Sequence, residues 1–326
     1  MSLVVPRALG VISTMVLLSP TVAEAESAYD WLMRMNQATR QLTYDGTFVY
    51  QHGDQLEAMR IIHMVDGDSV QERLVSLNGA AREVIRDDRQ VTCYLPDRQS
   101  AFVEHRLGRE KSFPVILPER VKDLKKNYRI QLSDKGRVTG REAQSIIIRP
   151  RDEYRYGYLM WADKQSGLLL KADLVDHVGK TLEQFMFTQV DIGRRIEPYE
   201  LEPAIASEGL AWYWGKTVEP NDTPAAASTW SVEQLPQGFK RIYRIMRKGA
   251  TRDSTVIHLV YSDGLAAVSV FIEEAQGEKP SMIGASRMGA VHAYGNIVDG
   301  RQVIVVGEVP AATVELIGRS VTAKHR

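Results

Sequence analysis

The residues of this chain that could do chemistry are few and widely spaced. Seven histidines, at positions 52, 63, 105, 177, 258, 292 and 325, are the first candidates for metal binding or general-base work. Two histidines four apart on a helix share a face and can hold one zinc ion. Here the nearest pair, His52 and His63, lies eleven apart, so no helical metal pair exists. His52, His63, His258 and His292 fall in stretches that read as strands, where they are satisfied structural residues or members of a cluster assembled only in three dimensions. The carboxylate pairs Asp87-Asp88 and Glu273-Glu274 sit at turns or strand ends and read as solvated. Cys93 is the single cysteine, so no internal disulfide is possible. It lies in the apolar run Val91-Thr92-Cys93-Tyr94-Leu95 and reads as a small buried hydrophobe rather than a reactive thiol. The chain carries no nucleophile elbow, zinc-protease signature, phosphate loop or dinucleotide fingerprint. It is therefore expected to be no enzyme, with no catalytic residues, no metal and no cofactor.

Charge excludes another class. Lys plus Arg and Asp plus Glu each number 41, which gives no electrostatic reason for nucleic acid as a ligand. The basic stretch 120–126 reads as a solvated helix face. The first 25 residues have the form of an export signal. Arg7 supplies the positive region, 8–18 a short apolar run, Pro20 a break and Ala23-Glu24-Ala25 a small-residue cleavage site. The apolar run is shorter than the about 20 residues that span a bilayer. The expectation is a cleaved signal peptide and a soluble mature protein in a periplasm; an uncleaved anchor is the alternative.

The elements that must position any site come next. Ser27 and Asp30 form a capping-box pattern ahead of Ala28, Trp31, Met35, Ala38 and Leu42, which recur at helical spacing. Strands follow at 46–52, 56–65, 69–77, 80–86 and 90–95, separated by Gly53-Asp54, Asp66-Gly67 and Asn78-Gly79 turns. A loop with a short helix starting near Pro118 precedes further strands at 128–132, 144–149, 156–162, 168–176 and 181–192. Prolines 198, 203, 220 and 224 then mark a linker containing Trp212-Tyr213-Trp214, an aromatic triplet that is either a domain-docking contact or an exposed partner site. Strands at 239–247, 255–261, 266–273, 288–297 and 301–306 come next, followed by a helix from Val309-Pro310 with Val314, Ile317 and Val321 on one face. The fold class is thus α+β, mainly β. A large N-terminal curved antiparallel sheet or unclosed β-barrel with helices is followed by a smaller C-terminal α+β domain. The expected division is 1–25 signal peptide, 26–195 large domain, 196–229 linker and 230–326 small domain.

A curved sheet of this size cannot fill its concavity with strands alone, so either the first helix or a ligand occupies it. Phe48, Tyr50, Met59, Ile61 and Leu74 occupy strand positions whose alternation puts them on one face, and they are the candidates for an apolar, lipid-binding cavity. Trp212, Trp214, Tyr243 and Arg244, aromatic and Arg chemistry near the domain junction, are the candidates for partner contacts.

Several stretches carry a family likeness. Tyr44-Asp45-Gly46-Thr47-Phe48-Val49-Tyr50 and Glu57-Ala58-Met59-Arg60-Ile61 resemble the start of MucB/RseB proteins. So do Glu72-Arg73-Leu74, Asn78-Gly79, Arg82-Glu83-Val84 and Cys93-Tyr94-Leu95-Pro96. Further matches are Leu235-Pro236-Gln237-Gly238-Phe239, Tyr261-Ser262-Asp263-Gly264-Leu265 and Gly307-Glu308-Val309-Pro310. The resemblance implies a periplasmic negative regulator of an envelope-stress sigma factor. Such a protein binds the periplasmic segment of a membrane-spanning, MucA/RseA-like anti-sigma factor and shields it from its site-1 protease. The large domain is then similar to the lipoprotein carriers LolA and LolB, and lipid or a lipopolysaccharide fragment loosens the grip on the partner. A periplasmic lipid or lipoprotein carrier is the alternative, and a periplasmic hydrolase a third. A homo-oligomer is open.

Overall fold

The computed structural model describes residues 26–105, 117, 121–215, 230–248, 255–274 and 282–323. The expected signal peptide at 1–25 and the expected helix start at Pro118 lie outside the described residues.

The chain opens with helix α1 (Ala28–Gln41). Its capping box is formed: the Ser27 N–H donates to Asp30 Oδ2 at 2.9 Å and the Asp30 N–H to Ser27 Oγ at 3.3 Å. Trp31, Leu32, Met35 and Ala38 make the buried face. The helix stops at Leu42, which is extended, and the strands begin two residues on.

Twelve strands follow: β1 (Tyr44–His52), β2 (Gln55–Asp66), β3 (Ser69–Ser76), β4 (Glu83–Arg86), β5 (Gln90–Leu95), β6 (Ser100–His105), β7 (Tyr128–Val138), β8 (Arg141–Pro150), β9 (Gly157–Asp163), β10 (Leu169–Val175), β11 (Thr181–Ile192) and β12 (Ala211–Trp214). They form one sheet in the order β12-β6-β5-β4-β3-β2-β1-β11-β10-β9-β8-β7. The two end strands do not pair, so the curved sheet stays unclosed. Its inner face meets α1 in one core holding Phe48, Ile61, Ile146, Met160, Phe185 and Phe187. Gly46 is required on that face, because a Cβ there would lie 2.7 Å from the Phe187 ring and 2.8 Å from the Gln189 carbonyl.

The described residues that follow hold β13 (Trp230–Val232), β14 (Lys240–Lys248), β15 (Thr255–Ser262), β16 (Ala267–Glu274), β17 (Gly284–Met288), β18 (Val291–Val298) and β19 (Arg301–Gly307), then helix α2 (Ala311–Arg319) and β20 (Val321–Ala323). Six of these strands build a second, smaller sheet in the order β14-β15-β16-β19-β18-β17, while β13 and β20 pair with each other as a separate two-stranded sheet. Val314 and Ile317 of α2 pack on Val303, Val305, Val268 and Val270.

Three sequence expectations change. The strand expected over 288–297 is β18, which starts only at Val291, because Gly289 takes φ 60° and turns the chain back from an unexpected strand, β17, ahead of it. Val321 is not on the helix: α2 ends at Arg319, and Val321 pairs with Val232 while remaining buried in the same core. Within the stretch expected to be a linker, Ala211–Trp214 is a strand that pairs in parallel with β6, a strand the turn pattern did not reveal.

Candidate functional site

The apolar interior is assembled by strand register. Phe48 lies opposite both Met59 and Phe187, Ile61 lies opposite Leu74, and Tyr50 is two residues from Phe48. Residues directly opposite, or two apart on a strand, share a face. All five cavity candidates therefore face the same way. Phe48, Met59 and Ile61 are buried in the core, with Tyr50 and Leu74 packed against it. Phe48 meets Phe185 at 5.1 Å and Phe187 at 6.1 Å between ring centroids. The Tyr50 hydroxyl is the polar member of this row and donates to the Glu183 carboxylate on β11.

At one end of the same face Tyr44 stacks on His63 at 4.7 Å. His63 is fully buried, and its Nδ1 lies 3.0 Å from the Leu42 carbonyl oxygen. Burial is the largest influence on this ring and lowers its pKa to about 4, so the imidazole is neutral at pH 7. Cys93 is half-buried, and loss of hydration raises its thiol pKa, which disfavours the thiolate.

The aromatic triplet forms an outer edge of the large sheet. Trp212 meets Tyr94 at 5.9 Å, edge to face, and stacks on Trp214 at 6.2 Å. Tyr213 points to the other face and stacks on Phe102 at 5.0 Å. The triplet thus docks onto β5 and β6 yet stays open to solvent: Trp212 is 40% and Trp214 62% exposed. Among the described residues no strand pairs with the free side of β12. An exposed edge of this kind is a template for another extended chain. Tyr243 and Arg244 lie on a different edge, β14 of the small sheet. Tyr243 is exposed and sits edge-on to His258 at 5.5 Å, and an Arg244 guanidinium nitrogen lies 3.5 Å from Met246 Sδ. The four partner candidates therefore form two patches on two sheets.

Between the sheets lies a junction that sequence reasoning did not find. Arg155, just before β9, is fully buried and points at the turn between β15 and β16. Its Nη1 donates to Asp263 Oδ2 at 2.5 Å, its Nη2 to the Gln237 carbonyl at 2.7 Å, and its Nε to Asp152 at 2.9 Å. The Tyr128 hydroxyl donates to the same Asp263 oxygen at 2.9 Å, and the Tyr128 and Phe239 rings flank the guanidinium. Two small-sheet turn residues, Leu265 and Ala290, are buried in the core of the large sheet. Gly289 approaches His52 so closely that a Cβ there would lie 2.2 Å from the ring. The Thr313 hydroxyl on α2 donates to the Tyr154 carbonyl at 2.6 Å. A cavity of about 170 Å³ opens beside these contacts, between Tyr156, His177 and Leu182 on one side and Arg287, His292 and Pro310 on the other. Tyr156, 3.2 Å from His292 Nδ1, has its phenol pKa pushed up to about 12, chiefly by burial. No group of three or more His, Cys, Asp or Glu among the described residues is placed to hold a metal ion.

The junction joins two units that comparison recognises separately. Residues 27–205 match the model of the MucB/RseB N-terminal domain, and residues 224–322 that of the MucB/RseB C-terminal domain. The chain belongs to the MucB/RseB family. It is 32% identical over 312 residues to the sigma factor AlgU regulatory protein MucB of Pseudomonas aeruginosa, covering 94% of each chain. A solved structure of MucB in complex with MucA(peri) superposes with a TM-score of 0.70 at 31% identity, over 92% of this chain and 100% of that one. The MucA/MucB complex of Pseudomonas aeruginosa gives 0.72 at 32% identity, over 92% of this chain and 99% of the other. In this MucB/RseB chain, Arg155 and Asp263 bridge the two family domains, and Trp212 to Trp214 fall between the two matched segments.

Proposed function

We propose that this protein is a periplasmic negative regulator that binds the periplasmic segment of a membrane-spanning, MucA-like anti-sigma factor. By covering that segment it protects the anti-sigma factor from site-1 proteolysis and keeps the sigma factor sequestered. The observation that carries the reading is likeness over 92% of the chain to MucB solved as a complex with MucA(peri). The exposed edge of β12, with Trp212 and Trp214, is the surface best suited to receive an extended partner segment, and Tyr243 and Arg244 on β14 offer a second contact. The apolar face with Phe48, Tyr50, Met59, Ile61 and Leu74 is the place for a lipid or lipopolysaccharide fragment that weakens the partner's hold. In this reading 1–25 is a cleaved export signal, 26–195 the lipid-responsive domain, 196–229 the connection and 230–326 the second partner-binding domain.

The test is a titration of the mature protein with periplasmic segments of single-span anti-sigma factors, with and without lipopolysaccharide, alongside digestion of each segment by the site-1 protease. Micromolar or tighter binding that slows cleavage, and that lipopolysaccharide weakens, is the expected result. Binding that leaves cleavage unchanged overturns the protective role. Lipid retention without binding to any segment turns the assignment to a carrier.

A further inference from the structure

A chain with equal numbers of acidic and basic residues concentrates charge of one sign on one strand. β14 reads Lys-Arg-Ile-Tyr-Arg-Ile-Met-Arg-Lys over 240–248, five basic residues and no acidic one. Its neighbour in the sheet, β15, carries no carboxylate either. β14 is an end strand of the small sheet, and among the described residues no strand pairs with its free side. Along that edge Lys240 and Arg241 are exposed, as are Ile242, Tyr243 and Met246. Among the described residues no ion pair joins Lys240, Arg241 or Arg244 to a carboxylate. At Arg244 one guanidinium nitrogen has Met246 Sδ at 3.5 Å, a weak acceptor, and the Nε is shielded from water without a hydrogen-bond partner. A guanidinium is suited instead to a carboxylate held by two nitrogens at once. We propose that the free edge of β14 is a docking site for an acidic polypeptide segment, which adds to the small sheet as a further strand.

Strand register sets the pattern such a segment must carry. A shift between Arg241 and Tyr243 puts Arg241 opposite Tyr261 and Arg244 opposite Leu259, two residues apart on β15. Both arginines therefore share one face although they are three apart in sequence. Tyr243 and Ile245 lie opposite Val260 and His258 on the other face. A matching strand has acidic residues at alternate positions, beside Arg241 and Arg244, and apolar residues between them, beside Tyr243 and Ile245. Lys240, opposite Ser262, belongs to the second face, so basic groups flank the edge on both sides. A membrane surface would meet only one of these faces and has no row of backbone donors and acceptors to offer. An extended polypeptide reaches both faces and supplies that row. A second copy of β14 would set basic residues against basic ones, which is unfavourable. Lysine and arginine also serve at sheet margins simply to keep edges apart. That role does not account for β14, because β12 has no charged residue, β17 one arginine, and β7 interleaves Asp134 with its basic residues. Nor would a protected edge leave Ile242, Tyr243 and Met246 uncovered among its charges.

The edge is the second contact of the regulatory reading, and the proposal rests on that reading for the owner of the segment but not for its chemistry. The test therefore titrates the mature full-length chain with a labelled synthetic peptide in which Glu alternates with Val, followed by fluorescence anisotropy. Hydrogen exchange of the β14 amides is read with and without the peptide. The wild type should bind, more weakly as salt rises, and the β14 amides on the free side should exchange about tenfold more slowly in the complex. Arg241→Glu combined with Arg244→Glu should weaken the peptide about tenfold or more. Should that variant fail to fold, the peptide with Gln in place of Glu reports the same loss on the wild type. A peptide of equal charge with Pro in place of Val lacks the backbone donors and should not bind. Absence of binding, equal binding by R241E/R244E, or equal binding of the Pro peptide overturns strand addition. So does a dimer that R241E/R244E dissolves, or capture by anionic phospholipid vesicles without capture of the peptide. An anti-sigma segment that binds while the acidic peptide does not keeps the regulator and sinks the edge. Acidic-peptide binding that R241E/R244E abolishes, with no anti-sigma segment bound, keeps the edge and sinks the regulator.

Discussion

Arg155 and Asp263 lie 108 residues apart and meet at 2.5 Å with both side chains fully buried. Burying two charges is costly, and their attraction offsets that cost only when the remaining hydrogen bonds are filled. Here they are: Asp263 also receives the Tyr128 hydroxyl, and Arg155 also reaches Asp152 and the Gln237 carbonyl. Removing one partner should therefore be far worse than the net worth of the pair. Asp263→Ala is expected to cost about 3 to 5 kcal/mol in chemical denaturation, because it strands the guanidinium. Asp152→Ala should cost less than Asp263→Ala, since Asp152 is partly exposed and the guanidinium keeps its buried Asp263 partner. Equal losses would show that the junction is not organised around Asp263.

The core face of β1 and β2 makes a second prediction. Ile61 is fully buried and Phe48 nearly so, among Phe185 and Phe187. Ile61→Ala should cost about 3 kcal/mol and Phe48→Ala about 4 kcal/mol, the range for apolar truncation in a close-packed interior. Val178→Ala, at a site 74% exposed, should change stability by less than about 0.5 kcal/mol. A tolerant Ile61 would indicate an interior with room to collapse, and lipid uptake by the variant would then be measured next.

Local signals in this chain were readable, and distant pairings were not. The Ser27 and Asp30 capping box is decided within one helical turn, and the Asn78-Gly79 turn by Gly79 taking φ 69°. The five cavity candidates share a face because β1, β2 and β3 pair without a shift at those positions. By contrast β12 is four residues long, and its parallel partner β6 lies more than a hundred residues earlier, so no hairpin turn announces the pairing. Gly289 sits in a stretch that otherwise alternates like one strand, which hid the β17–β18 turn. Asp263 and Leu265 stand out in the sequence only as part of a family-like stretch, because their partners are set by how two sheets meet.

The edge formed by β12 separates folding from recognition. Trp212 and Trp214 are substantially exposed and rest on Tyr94 and on each other. Trp214→Ala should change stability by less than about 1 kcal/mol yet weaken the anti-sigma segment by tenfold or more, as exposed aromatic anchors do at interfaces. Calorimetric titration of W212A, W214A, Y243A and R244A would rank the two patches. Wild-type affinity in both tryptophan variants would remove β12 from the partner surface.

His63 makes stability depend on pH. Its pKa is about 4 in the folded chain, against about 6.5 in an unfolded one. Between those values the unfolded state binds more protons, so stability rises with pH through this window and is lost as pH falls. From pH 7 to pH 5 the loss from this one ring should be on the order of 2 kcal/mol. Denaturation midpoints at pH 7, 6 and 5 would reveal it, compared with His63→Phe. That variant keeps a ring against Tyr44 but cannot take up a proton, so its slope should be shallower than the wild type's. Parallel slopes would mean that the acid sensitivity arises elsewhere, and the charged row beside it, Glu72 with Arg86 at 3.2 Å, would be the next place to look.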